Sequence, residues 1–248
     1  MTAPRRPGPR HALARVLSKR GLCSRSQAER WIAAGRVSLQ GRVVRDPECP
    51  VPLDSDGIVV DGEPLAAAVP AYLALNKPRG LVTSTADERG RDTVYRCFDG
   101  AQLPWLAPVG RLDKASEGLL LFCNDPAWAA GITDPATGPD KTYHVQVDRI
   151  PDAALLARLQ AGIEVDGARL RARSARLLRA GGKHAWLEIV LDEGRNRQIR
   201  RLLAACDTGV LRLVRVAIGP LALGELAKGR WRELTAAEVL ALRPPARP

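Results

Sequence analysis

Aromatic residues are scarce. Phe, Trp and Tyr together make up 4% of the 248 residues, so aliphatic side chains must build most of any core. No apolar run approaches the ~20 residues that a membrane-spanning helix needs. The three histidines, His11, His144 and His184, lie far apart, and the five cysteines show no C-x-x-C spacing. No metal site is expected from such a set. Isolated thiols in odd number fit a reducing cytoplasm. A Gly-rich phosphate loop and an internal repeat are also missing. Acids are nearly absent from the start: residues 1–45 hold eleven Arg or Lys and one acid, Glu29. The other 203 residues hold 27 basic and 26 acidic ones. This asymmetry predicts an N-terminal module drawn to a polyanion, nucleic acid first and an anionic membrane second, on a nearly neutral body.

The stretch "MTAPRRPGPR" carries three prolines, which rules out an amphipathic targeting helix, so residues 1–10 read as a disordered basic arm. "HALARVLSKRG" has Leu13, Val16 and Leu17 at helical spacing and stops at Gly21. "CSRSQAERWIAAG" is a second helix with Ser24 or Ser26 as N-cap, ending at Gly35. "RVSLQGRVV" is a strand–turn–strand. Together they predict a small α/β domain over residues 11–61. A Pro- and Ala-rich linker at 62–70 follows, then a second domain over 71–242 and a tail at 243–248. Strands "APVGRLD", "GLLLF", "KTYHVQV", "AWLEIVL" and "LRLVRVAIG", with helices near 152–161 and 197–206, alternate without a βαβ rhythm. An α+β body around a mixed, largely antiparallel sheet is expected.

Three stretches of the body hold candidate chemistry. In "GRLDKASEG", an extended backbone would set Arg111 and Asp113 on one face. In "KTYHVQV", alternation sets Tyr143 with Val145 and Val147, where its ring can pack on a planar ligand. In "EGRNRQIRRLLAAC", Ile199, Leu202, Leu203 and Cys206 form a core stripe with Arg200 on its flank, and Arg197 and Arg201 fall on the exposed side. An inward guanidinium needs a carboxylate, and Asp113 is the candidate partner. Taken singly, each also reads as a turn aspartate, a core tyrosine and a solvated arginine face.

In combination and order, "GRLDKASEGLLLFCND", "KTYHVQV" and "EGRNRQIRRLL" resemble the three motifs of the bacterial ribosomal RNA pseudouridine synthases of the RsuA type. "LALNKPRGLVTS" and "LRLVRVAIGPLALGELAKGRWREL" resemble the opening and close of that family's catalytic domain, and residues 11–61 its S4-type RNA-binding domain. Ser116 stands where many members have threonine. The resemblance implies Asp113 as the catalytic carboxylate and Arg111 as a group positioning the target nucleotide. It implies Tyr143 stacked on the base, Arg200 paired with Asp113, and Lys141 as a further substrate contact. Lys19, Arg20, Arg25 and Arg36, at helix ends and loops of the first module, and Arg197 and Arg201 are expected on RNA phosphates.

Isomerising uridine moves no electrons to a carrier, so no cofactor is expected. A carboxylate near C1′ can stabilise positive charge, attack as a nucleophile or remove a sugar proton; all three stay open. The expected partner is ribosomal RNA or a ribosome assembly intermediate, bound by a cytoplasmic monomer. One rival is a non-catalytic RNA-binding protein on the same scaffold. Another is a glycosidase, which needs a second carboxylate, Glu117 being the nearest.

Overall fold

Leu13, Val16 and Leu17 are fully buried, as their helical spacing requires, but the element carrying them starts later than His11. The computed structural model describes residues 9–65, 68–85 and 90–243, so most of the expected arm and tail lie outside the described residues. Strand β1 (Arg10–Ala12) pairs antiparallel with β4 (Pro50–Pro52), and helix α1 (Leu13–Lys19) begins only behind it. Helix periodicity cannot register this pairing, because the partner strand lies some forty residues away in sequence.

The chain packs as two units. One is Met1–Ala71 with Gln102–Ala107 and Cys123–Pro126; the other is Tyr72–Ala101, Pro108–Phe122 and Ala127–Pro248. In the first unit, α2 (Arg25–Ala33) is capped by Ser24, whose hydroxyl accepts from Gln27 N at 3.1 Å. Hairpin β2 (Val37–Leu39) and β3 (Arg42–Val43) turns through Gln40 and Gly41, both at positive φ, the expected "QG" corner. β5 (Ile58–Val60) pairs with β2 and with β6 (Glu63–Pro64), so two residues of the expected linker belong to a sheet. Cys23 is part of this core, and burial pushes its thiol up to about 11, which keeps it protonated and inert.

The second unit contains β7 (Tyr72–Lys77), a 3-10 turn at Val94–Phe98, all but the first residue of β8 (Ala107–Val109), all but the last of β9 (Glu117–Cys123), all but the first of α3 (Pro126–Thr133), then β10 (Lys141–Val147) and α4 (Ala153–Ala161). The hairpin β11 (Ile163–Val165) and β12 (Ala168–Leu170) follows, then β13 (Ser174–Ala180), β14 (Ala185–Leu191) and α5 (Gln198–Ala204). The chain closes with β15 (Val210–Ile218), β16 (Leu221–Ala222), β17 (Trp231–Glu233) and α6 (Ala236–Ala241). Its main sheet runs β13-β14-β10-β15-β9-β7-β17, with β16 on β15 and β8 on β9. The pairings β13–β14, β14–β10, β10–β15 and β7–β17 are antiparallel, and β15–β9 is parallel. The fold is therefore α+β with a mixed, largely antiparallel sheet.

Alternation explains which face is covered. Val145, Val147, Leu187, Ile189 and Leu191 point at α4 and α5, and the helix stripe Ile199, Leu202, Leu203 meets them. Each such side chain contributes roughly 2 kcal/mol by leaving water. β9 is buried along its whole length, as its unbroken "LLLF" run demands of an interior strand.

Candidate active site

Asp113 is not on a strand. β8 ends at Val109, and residues 110–116 form a loop leading into β9. Arg111 and Asp113 line the same cavity from this loop. Ser116 N donates to Asp113 O at 3.0 Å, closing a turn of which Asp113 is the first residue. The carboxylate does not serve that turn: among the described residues it accepts from no backbone N–H. Its oxygen lies 3.3 Å from Arg197 Nη1.

The loop is braced from one side by the segment after β7. Lys77, fully buried, donates from Nζ to the carbonyls of Pro78, Asp113 and Ser116 at 3.1, 3.1 and 2.9 Å. Thr83 Oγ1 donates to Leu112 O at 2.8 Å, and Gly80 N to Lys114 O at 2.8 Å. Burial pushes the Lys77 ammonium down to about 8, against the pull of Asp113. Sequence reading missed this lysine. The signal was present in "NKPRG", where a lysine ends an otherwise apolar strand.

The cavity, about 220 Å³, lies against the β10–β15 pair and α5. β10 contributes Lys141 and Tyr143 from one face, as alternation requires. Burial, and then Arg215, push the Lys141 ammonium down. α5 and the loop before it contribute Arg195, Arg197 and Arg200. Arg197 has a left-handed backbone, φ 50°, at the N-cap of α5, which turns its side chain out of the helix register. Gln198 is buried and holds the preceding loop: it accepts from Arg195 N and donates to Glu193 and to Arg171 O.

The arginine that reaches Asp113 is thus Arg197, not Arg200. Arg200 donates to Ala115 O and Val210 O at 3.3 and 3.4 Å, so it supports the aspartate loop from beneath. Helix-face reasoning misassigned the pair because Arg197 leaves the helix geometry on which that reasoning rests. Burial lowers the Arg200 pKa first, and Arg197 lowers it further. Arg201 is not free on the surface either, since it pairs with Asp166 at 2.8 Å and donates to Val165 O.

Of the expected phosphate contacts in the first unit, Arg20 is tied to Leu53 O and Ser55 O, and Arg25 to Glu29 and Glu48. Arg36 pairs with Asp61 and lies over the Trp31 ring. Lys19 ends α1. Glu117, the second carboxylate a glycosidase would need, is 3% exposed and bound by Arg212 and Lys228, outside the cavity lining. Among the described residues no three His, Cys, Asp or Glu side chains are grouped to hold a metal ion.

Residues 71–205 match the RNA pseudouridylate synthase family, and residues 13–56 match the S4 domain. An RNA pseudouridine synthase of Aquifex aeolicus is 37% identical over 92% of each chain. Ribosomal large subunit pseudouridine synthase B of Bacillus subtilis is 36% identical, covering 93% of this chain and 95% of its own. A pseudouridylate synthase crystal structure superposes with a TM-score of 0.65 at 30% identity, covering 95% of this chain and all of its own. The chain belongs to the RNA pseudouridylate synthase family and carries an S4 domain ahead of its synthase domain.

Proposed function

We propose that the protein converts uridine to pseudouridine in ribosomal RNA, with Asp113 as the catalytic carboxylate. The observation that carries this is the state of Asp113: its carboxylate accepts no backbone N–H among the described residues and meets one partly exposed arginine at a cavity also lined by Tyr143. A structural aspartate would spend its oxygens on its own turn. The target uridine leaves its stack, and the Tyr143 ring offsets the lost stacking. The N1–C1′ bond breaks with its electron pair staying on the base, the base turns, and C5 joins C1′. C5 then loses its proton and N1 gains one, so atoms and electrons balance without an electron carrier. Arg111 and Arg197, both exposed beside the cavity, suit the flanking phosphates. Lys19, Arg20, Arg25 and Arg36 add a second phosphate-binding region, where phosphate competes with the partners some of them hold.

A deletion strain complemented with wild type or with Asp113→Asn, followed by site-resolved pseudouridine mapping of its ribosomal RNA, tests the proposal. Wild type restores one or more pseudouridines, and the Asn variant lowers the rate by ~10³-fold or more. Modification restored by the Asn variant overturns the assignment. Ribosomal RNA unaltered in both strains, with defective subunit assembly, favours a binding protein instead.

A further inference from the structure

Among the described residues, two buried side-chain donors find no hydrogen-bond partner: Arg200 Nε and Arg215 Nη2. Both belong to residues that line the Asp113 cavity. Arg200 is otherwise engaged by two backbone carbonyls. Arg215 is the more telling of the two. It is 5% exposed, sits on β15 directly across from Tyr143 on β10, and donates from Nε to Leu119 O at 2.7 Å. Nε and Nη2 form one edge of this buried guanidinium; Nε is anchored, and Nη2 meets no acceptor among the described residues. A desolvated cationic donor left unmet is costly, so a position that keeps one has a use for it when a ligand arrives.

The class of acceptor follows from depth and chemistry. Phosphates bring full charge from the outset and stay hydrated, which suits exposed Arg111 and Arg197. The buried donor beside Tyr143 is where a stacked base, stripped of water, presents its edge. Uracil offers two carbonyl oxygens, O2 and O4. When the N1–C1′ bond breaks, the electron pair left on N1 delocalises onto both. A fixed guanidinium in a dry site then binds the departing base more strongly than the intact nucleoside, and that difference accelerates the step.

We propose that Arg215 donates from its guanidinium to a carbonyl oxygen of the bound uracil and stabilises the negative charge that the base acquires as its glycosidic bond breaks. The inference rests on the reading of the cavity as a uridine-isomerising site and adds a substrate-contacting residue to it.

The test uses full-length protein with enzyme in excess over ribosomal RNA. Wild type, Arg215→Met and Arg215→Lys are compared on RNA carrying uridine, 2-thiouridine or 4-thiouridine at the position wild type modifies. Sulfur is the weaker hydrogen-bond acceptor. Arg215→Met is expected to lower the single-turnover rate by ~10²- to 10³-fold on uridine, as for an oxyanion donor, while RNA affinity changes little. The advantage of wild type over the variant shrinks by about tenfold for one sulfur position and persists for the other. An Arg215 that only props β9 would give the same advantage on all three RNAs. That result, or a Met variant at the wild-type rate, overturns the inference and leaves the function intact. Should the Met variant fail to fold, the Lys variant, which keeps the charge but not the fork geometry, carries the same comparison. A wild-type protein that modifies no uridine overturns the functional reading and this inference together.

Discussion

Lys77 shows how one side chain can hold the Asp113 loop through its carbonyls alone. Its three N–H groups match three carbonyls, Pro78, Asp113 and Ser116, so the ammonium form satisfies them all. The neutral amine has two N–H groups and must release one carbonyl. With the group pushed down to about 8, that release falls in an accessible range. The single-turnover rate is therefore expected to decline above about pH 8, and Lys77→Met to be slow with no such alkaline limb. Stability moves the other way. The folded pKa lies below the unfolded 10.5, so the unfolded chain binds more protons between about 8 and 10.5, and the lysine's contribution to stability grows as pH rises through that window. Urea unfolding of wild type and Lys77→Met between pH 7.5 and pH 10 checks the sign: the gap between them should widen.

Strand β9 illustrates a constraint set by an element. Gly118 has φ +101°, and a Cβ added there would lie 2.3 Å from Arg215 O, the residue its strand pairs with in parallel. The glycine lets the two backbones meet where Asp113's loop enters the sheet and where Arg215 is set in place. Gly118→Ala is expected to cost about 2–4 kcal/mol in urea unfolding, from backbone strain and the forced separation of β9 and β15. Activity should fall further than stability alone accounts for, because Arg215 moves with the strand. α5 carries a comparable lesson, since the arginine that meets Asp113, Arg197, sits at the left-handed N-cap rather than in the helix body.

On the scale of the whole chain, charge is divided between the parts. The excess of positive charge lies in residues 1–45, and the rest is close to neutral. No helix among the described residues is long and apolar enough to cross a membrane. RNA binding is expected to depend steeply on salt, because each phosphate neutralised releases counterions. Replacing Lys19, Arg25 and Arg36 together by Gln should flatten the slope of log K against log salt by about 2, at ~0.7 per lost contact on single strands. Single-turnover rates at saturating enzyme should stay within about threefold of wild type. A slope equal to wild type's would place the RNA elsewhere.

Periodicity and spacing were enough to set out the β10 and β14 strands to the residue, the α5 core stripe and the "QG" hairpin, and to narrow the α2 cap to Ser24 or Ser26, since each is decided by neighbours within about one turn or two strand residues. They also placed Tyr143 on the covered face and, through the motif resemblance, brought Asp113, Tyr143 and Arg200 to one cavity. Local pattern could not say which arginine reaches Asp113, because Arg197 departs from helical geometry at one residue. Nor could it show that β1 pairs with a strand about forty residues on, that Lys77 and Thr83 grip the loop of Asp113, or that Arg215 keeps a buried donor open. Those features depend on carbonyls and strands brought together from distant parts of the chain, and only the packed sheet decides which buried polar groups find partners and which are left for a ligand.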